Sequence, residues 1–371
     1  MPIGTSELRL ERDMMEKTIA PPTVAFAGPS IGVEEIEAVT RVMRSGVIAQ
    51  GPEVAAFERE FAARMGADDA VAVNSGTAAL EVALAALEIG VGDEVIVPAF
   101  TFIATAATVA RTGATVRFAD VDPVTFCLDP TSTLSLVTAA TRLIVPVDLY
   151  GYPAPLAELR VALPEHVTIL EDAAQAHGAG RYGIPVGSDE LTTFSFYPTK
   201  NMTTAEGGIV TCNDSAVAER MRLIRNHGMR GAYDYAMFGA NLRMTDISAA
   251  IGRCQLDRLD GFIDRRTLIA GAYRSELSMV DLPGSPADGD HAWSVFTIRH
   301  PHRDALASHL AQRGVASKVY YPQALSRIPL FDSSDVCPVS DLLAQTVLSL
   351  PIRPDLTDAE VEQVIDAVRS F

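Results

Sequence analysis

Nowhere in the 371 residues do two cysteines stand in a CxxC pair. The four present, Cys127, Cys212, Cys254 and Cys337, lie far apart, so neither a zinc cluster nor a disulfide framework is indicated. No run of about 18 uncharged apolar residues occurs, which excludes a helix able to span a bilayer. The first residues carry Glu7, Arg9, Glu11, Arg12 and Asp13, where a secretory signal would need an apolar stretch. Positive charge is in deficit: 30 Lys and Arg face 47 Asp and Glu, a formal net charge of −17. That field opposes a general hold on nucleic acid or anionic membrane, and any anionic ligand must find a local positive site. These absences predict a cytoplasmic globular protein and, among such proteins, an enzyme.

What is present supports a large core. Hydrophobic residues make up 48% and charged residues 21%, too balanced for disorder, and the length suits two domains. Residues 1–25 mix charge with Pro21 and Pro22 and read as an arm. Stretches 33–44 and 54–65 carry apolar residues at helical spacing. Between them Ser45-Gly-Val-Ile-Ala-Gln-Gly-Pro52 is a turn-rich segment that could shape a pocket. From residue 70, short β-rich runs (70–73, 94–97, 115–118, 142–147, 167–170, 192–196, 208–212) alternate with helical stretches such as 77–87 and 101–111. Apolar runs without strict alternation belong to strands covered on both faces, hence to a mainly parallel sheet in an α/β fold. After about residue 245 the pattern changes. Stretches 245–259 and 261–277 read as two long helices, followed by a strand at 295–299, a helix at 303–312, a strand at 317–321 and two more helices. The last opens on a capping box, Thr357-Asp-Ala-Glu360. The expected division is an arm (1–25), a large domain (26–245) and a smaller C-terminal α/β domain (246–371).

Three segments carry chemistry. Val73-Asn-Ser-Gly-Thr-Ala-Ala-Leu80 is a strand, a small-residue turn and a helix start. Gly76 allows close backbone approach, Thr77 adds a hydroxyl, and free amides at a helix N-terminus favour an anion. By itself this turn is unspecific, and it lacks both GxGxxG and GK[ST]. Ile169-Leu-Glu-Asp172-Ala-Ala-Gln-Ala-His-Gly178 runs an apolar strand into acids at its carboxyl end, where open α/β sheets place ligands. An Asp there needs a cationic partner, and a cofactor's protonated ring nitrogen or a nearby arginine would serve equally. Phe194-Ser-Phe-Tyr-Pro-Thr-Lys200 places a lysine just past a strand end. Such a lysine is ordinarily solvated surface, but a desolvated one forms imines with carbonyl compounds. An anion seat, an acid for a ring nitrogen and an imine-forming lysine together match pyridoxal phosphate.

At these residues the chain resembles the DegT/DnrJ/EryC1/StrS sugar aminotransferases, of the fold type I pyridoxal-phosphate enzymes. The resemblance covers about 24–370. It is also carried by Gly92-Asp-Glu-Val-Ile-Val-Pro-Ala-Phe-Thr-Phe102, Glu171-Asp-Ala-Ala-Gln175, Glu206-Gly-Gly208, Arg225-Asn-His-Gly228, Gly239-Ala-Asn-Leu-Arg-Met244 and Leu348-Ser-Leu-Pro351. It implies a large domain with a mainly parallel seven-stranded sheet flanked by helices. It further implies Lys200 as the residue that binds the cofactor and Asp172 as the partner of the pyridinium nitrogen. Gln175 would lie by the ring, Phe102 would stack on it, and Gly76, Thr77 and Ser195 would meet the phosphate. Asn241 would reach in from a second subunit, making a homodimer with shared active sites. The reaction implied is transamination of a nucleoside-diphosphate keto-deoxysugar, the 4-keto-6-deoxyhexose favoured, with glutamate or glutamine as donor and a pyridoxamine phosphate form between half-reactions. A keto-cyclitol of the scyllo-inosose type is the alternative substrate. A non-catalytic pyridoxal-phosphate-binding regulator is a further alternative, and Lys200 argues against the dehydratases that replace this lysine.

Two departures from common family forms stand out. Pro146-Val-Asp148-Leu-Tyr-Gly151 puts an acid where a histidine is common, and Tyr320 stands where another histidine is common. Tyr321 and Arg243 are the candidate substrate contacts, although Arg243, like Arg225, would equally well brace loops. His177, His227 and His291 read as structural or substrate-side hydrogen-bonding groups. No metal site is expected, since no second ligand sits at metal spacing. Trp293, the single tryptophan, reads as core or interface.

Overall fold

The computed structural model describes residues 24–371. All but Val24 and Ala25 of the expected arm lies outside the described residues. Seven strands form one sheet: β1 (Asp69–Val73), β2 (Glu94–Pro98), β3 (Thr115–Ala119), β4 (Thr141–Ile144), β5 (Thr168–Asp172), β6 (Leu191–Ser195) and β7 (Gly208–Cys212). Their spatial order is β1-β7-β6-β5-β4-β2-β3. Only β7 runs against the rest, pairing antiparallel with both β1 and β6. The mainly parallel sheet inferred from unbroken apolar runs is therefore present, and its parallel strands all end on one edge.

Helices cover both faces, which is why the strands need no polar side. On one face α3 (Gly76–Ala86) buries Val82, Ala83 and Leu84 against Val95, Val97 and Val210. On the other, α2 (Pro52–Met65) sets Phe57 and Phe61 edge-on against Phe194 and Phe196, with ring centroids 5.1 to 5.6 Å apart. Each fully buried side chain of this size contributes about 1.5–3 kcal/mol. Two shorter helices, α5 (Pro130–Ser135) and α6 (Leu156–Ala162), fill crossovers that the periodicity did not reveal. Helix α1 (Val33–Ser45) buries Ala38 and Val42 against Ala250, and α4 (Ile103–Arg111) follows β2. Helix α7 (Ser215–Arg225) follows β7, capped by the Asp214 carboxylate.

Two sequence expectations need correction. The two helices expected at 245–259 and 261–277 are one, α8 (Asp246–Glu276), unbroken through Gly261. Glycine lowers helix propensity but does not end a helix when both flanks are anchored. Here Ala249, Leu256 and Leu259 bury with Phe57 and Phe61, while Ile269, Ala270 and Tyr273 bury with Phe296 and Leu348. The strand expected at 317–321 is a single bridge, Lys318 to Ser349. The real partner of β8 (Phe296–Arg299) is β9 (Val347–Leu350), antiparallel to it. Helices α9 (Arg303–Gln312), α10 (Pro338–Thr346) and α11 (Asp358–Arg369) complete this C-terminal layer, and α11 starts with the expected capping box. Val24 is fully buried in the same layer, bridged to Val315.

Candidate active site

Because the parallel strands end together, residues far apart in sequence meet at the rim of one cavity of about 930 Å³. After β1, the Ser75 hydroxyl accepts from the Ala78 amide (3.1 Å) and caps α3. The helix mouth is tight against its neighbours. A Cβ added at Gly76 would stand 2.6 Å from the Ser195 Cβ, and one at Gly208 would stand 2.3 Å from the Ser75 carbonyl oxygen. Only glycine permits both approaches. They bring the first amides of α3, the Thr77 hydroxyl and the Ser195 hydroxyl to one wall of the cavity, a seat suited to an anion.

Asp172 ends β5 and is 5% exposed. One carboxylate oxygen accepts from the Thr105 hydroxyl (2.8 Å) and the other from the Ala174 amide (3.2 Å). Burial pushes its pKa up, against those two bonds and the nearby charge of Lys200. The net effect is a carboxylate short of cationic company. Lys200 sits in the turn after β6, its amide bonded to the Tyr197 carbonyl (2.9 Å), and its side chain lines the same cavity. Burial brings its pKa down to about 8, with the Asp172 charge opposing. A lysine in that state spends part of its time as a free, nucleophilic amine.

Gln175 is clamped from two sides. Its Oε1 accepts from the Tyr150 amide (2.7 Å), and its Nε2 donates to the Tyr321 hydroxyl (3.2 Å). The Tyr321 ring lies 6.1 Å from that of Phe102, whose side chain is 55% exposed where it lines the cavity. Gly76, Thr77, Phe102, Asp172, Gln175, Ser195, Lys200 and Tyr321 thus share one cavity. Asn241 and Arg243 do not line it. Asn241 is exposed and bridged to Asn226 through the backbone. Arg243 donates to the Asn226 side chain at 2.6 Å. The 45–52 turn does not line it either, being tied by backbone bonds from Gly51 and Val54 to Asp246. Arg225 braces α7, paired with Glu58 and donating to the Ala72 carbonyl at 2.6 Å.

Both departures from the family forms have a place. Asp148 is buried behind β5, where its Oδ1 accepts from Arg181 (2.8 Å) and the Ala154 amide (2.7 Å). Arg181 also pairs with the buried Glu171, so one guanidinium serves two carboxylates. Burial first, then the Glu171 charge, push the Asp148 pKa well up. Tyr320 lines the cavity, and its carbonyl accepts from the Tyr150 hydroxyl. His177 is enclosed by Phe194 and Phe196, and His291 stacks on Trp293 at 3.7 Å. No cluster of three metal-ligating side chains exists among the described residues.

Among the cavity residues that escaped the sequence reading are Thr105, Arg266 and Arg353. Thr105 is 67 positions from the carboxylate it serves, and only the crossing of α4 over the end of β5 joins them. No motif surrounds Arg266, and the Leu348-Ser-Leu-Pro351 segment before Arg353 did not single that arginine out.

The chain is similar to known proteins over most of its length. The dTDP-3-amino-3,4,6-trideoxy-alpha-D-glucose transaminase of Streptomyces venezuelae is 40% identical over 365 residues, covering 94% of this chain and 96% of that one. The UDP-N-acetyl-3-dehydro-alpha-D-glucosamine 3-aminotransferase of Acidithiobacillus ferrooxidans is 37% identical over 343 residues, covering 91% and 93%. The crystal structure of S. venezuelae DesV in complex with a ketimine intermediate matches with a TM-score of 0.89 at 41% identity, covering 91% and 94%. A family model matches residues 29–369. With that span matched, this chain belongs to the DegT/DnrJ/EryC1/StrS aminotransferase family.

Proposed function

We propose that this protein transfers an amino group from glutamate or glutamine to a nucleoside-diphosphate keto-deoxysugar, the 4-keto-6-deoxyhexose favoured, with pyridoxal phosphate as cofactor. One observation carries the reading: a desolvated lysine, a buried carboxylate short of a cation and a glycine-opened helix N-terminus face a single cavity. These features fit the cofactor group by group. The amides of Gly76 and Thr77 and the Ser195 hydroxyl would hold its phosphate. Asp172 would give its ring nitrogen a counter-charge, and Lys200 would bind its aldehyde. Gln175 and Phe102 would border the ring. When bound, pyridoxal phosphate supplies a carbonyl that accepts the amino group and a ring that draws electrons from the neighbouring carbon.

The chain's own part is proton handling and positioning. Lys200, with its pKa near 8, is suited to take a proton from the donor's Cα and return one to the sugar carbon in the second half-reaction. Asp172, at the end of β5, is anchored by the Thr105 hydroxyl. Tyr321 and Gln175 hold each other, fixing one cavity wall before substrate arrives. Both relatives named above act, by their names, on nucleotide-linked sugars, which supports the substrate class. We also assign Asn241 to the cavity of a second subunit, since it is exposed and does not line its own. The proposed domains are 26–245 and 246–371. No described helix is long and apolar enough to cross a membrane.

The deciding experiment incubates the cofactor-loaded protein with glutamate and a panel of nucleotide keto sugars and scyllo-inosose, and reads products by mass spectrometry. An amino sugar nucleotide is expected. Product from scyllo-inosose alone would move the substrate to the cyclitols, and no amination of any panel member would overturn the assignment.

A further inference from the structure

A chain with net charge −17 must gather anions by local design, and one buried cation has no carboxylate at ion-pair distance among the described residues, Asp355 acting on it only from farther away. Arg266, on α8, is 4% exposed. Its Nη1 contacts three carbonyl oxygens, of Trp293 (3.1 Å), Ser294 (3.3 Å) and Ile352 (3.0 Å). Its Nε is buried with no partner among the described residues. Other enclosed arginines are paired: Arg181 with Asp148 and Glu171, and Arg225 with Glu58. Arg353 lines the same cavity, but Asp355 holds it at 3.0 and 3.2 Å. Arg266 has no carboxylate at ion-pair distance among the described residues, and it borders the Lys200 cavity. A buried charge without a counter-ion is costly, so this one is suited to an anion that arrives with the substrate.

Position selects which anion. Asn201, next to Lys200, donates to the Ala292 carbonyl at 2.7 Å, and the following two carbonyls are those held by Arg266. A short rigid bridge therefore ties the lysine to the arginine. The charges of both also act on the ring of His177 and help keep it neutral. In an amino acid, a carboxylate sits on or a few bonds from the reacting carbon. In a nucleotide sugar, a diphosphate lies across a hexose ring from it. A cation tied this closely to Lys200 suits the former.

We propose that Arg266 holds a carboxylate of the amino donor. This rests on the aminotransferase reading above. The test is calorimetric titration of the cofactor-loaded protein with glutarate, an unreactive dicarboxylate, and separately with dTDP and UDP. Wild type should bind glutarate. Arg266→Met should weaken that binding about tenfold or more, the scale of a lost charge-assisted bond, and leave nucleotide binding unchanged. Arg266→Lys, which keeps the charge but not the fork, should restore part of it.

The visible cofactor absorbance of each variant confirms that it is folded and loaded. Should the Met variant fail to load, the Lys variant decides, with weaker glutarate binding than wild type expected. Loss of absorbance on adding alanine rather than glutamate then separates the two carboxylates. If both donors slow in the variant, the α-carboxylate is held; if only glutamate slows, the side-chain carboxylate is held. Absent glutarate binding in wild type, unchanged binding in a loaded variant, or a loss confined to nucleotides would overturn the proposal. A wild type with neither cofactor absorbance nor reaction with glutamate would instead remove the aminotransferase reading, and this inference with it.

Discussion

Lys200 and Asp172 influence each other through the cavity, and the size of each effect can be measured. With a pKa near 8, about a tenth of Lys200 is free amine at pH 7 and most of it at pH 9. Only the neutral amine attacks an aldehyde, so the rate at which cofactor-stripped protein captures pyridoxal phosphate should climb with pH through about 8. A rate flat from pH 6.5 to 9 would contradict this. Lys200→Ala should lose both the visible cofactor band and turnover. Thr105→Val removes a bond that lowers the Asp172 pKa. A hydrogen bond to a charged group contributes about 1.5–3 kcal/mol, so the variant should keep its cofactor yet turn over about tenfold slower or worse. Wild-type kinetics would show that Thr105 does not position the acid. Asp172 at the end of an apolar strand and Lys200 in the turn after another were marked in the sequence as candidates, and the family resemblance supplied their roles. Thr105 looked like any threonine on a helix, and nothing local marked it.

At the scale of elements, the unexpected continuity of α8 has a measurable consequence. Gly261 and Gly271 lie inside the helix, and a Cβ added at either would meet nothing within 4 Å. Glycine in a helix interior costs about 0.5–1 kcal/mol relative to alanine. Gly261→Ala should therefore raise stability by about that amount in urea unfolding, and a decrease would mean that the helix is broken there after all. Phe61 behaves oppositely. It is fully buried among Phe57, Phe194 and Phe196, and Phe61→Ala should cost about 3–5 kcal/mol. Apolar periodicity located these elements well where one face was buried. It gave a strand at 317–321 and missed β9, because the pairing of 296–299 with 347–350 forms only when the C-terminal layer closes.

For the whole molecule, two enclosed imidazoles link stability to acidity. His177 and His291 have their pKa values lowered from 6.5 to about 3, chiefly by burial. The folded chain keeps both neutral, while the unfolded chain protonates them below 6.5. Stability is thus full above pH 6.5 and is lost as pH falls from 6.5 toward 3, by up to about 1.4 kcal/mol per pH unit for each ring. Urea midpoints at pH 7.5, 6.5 and 5.5 would read this. His177→Leu should shallow the decline, and an unchanged slope would remove His177 as its source. Assembly is testable in the same terms. If Asn241 serves a second subunit, mixing Asn241→Ala with Lys200→Ala chains should recover turnover that neither has alone, and no recovery would confine the site to one chain.

The order of apolar runs and turns was enough to determine a mainly parallel α/β sheet and to place an acid at one strand end and a lysine in the turn after another, because strand and helix periods are local properties of the chain. Tertiary structure alone decided that Thr105 anchors Asp172, that Asp148 and Glu171 share Arg181, and that Arg266 has a buried Nε without a partner among the described residues. Those facts depend on which charges burial brings within a few ångströms of one another, and no local pattern encodes that distance.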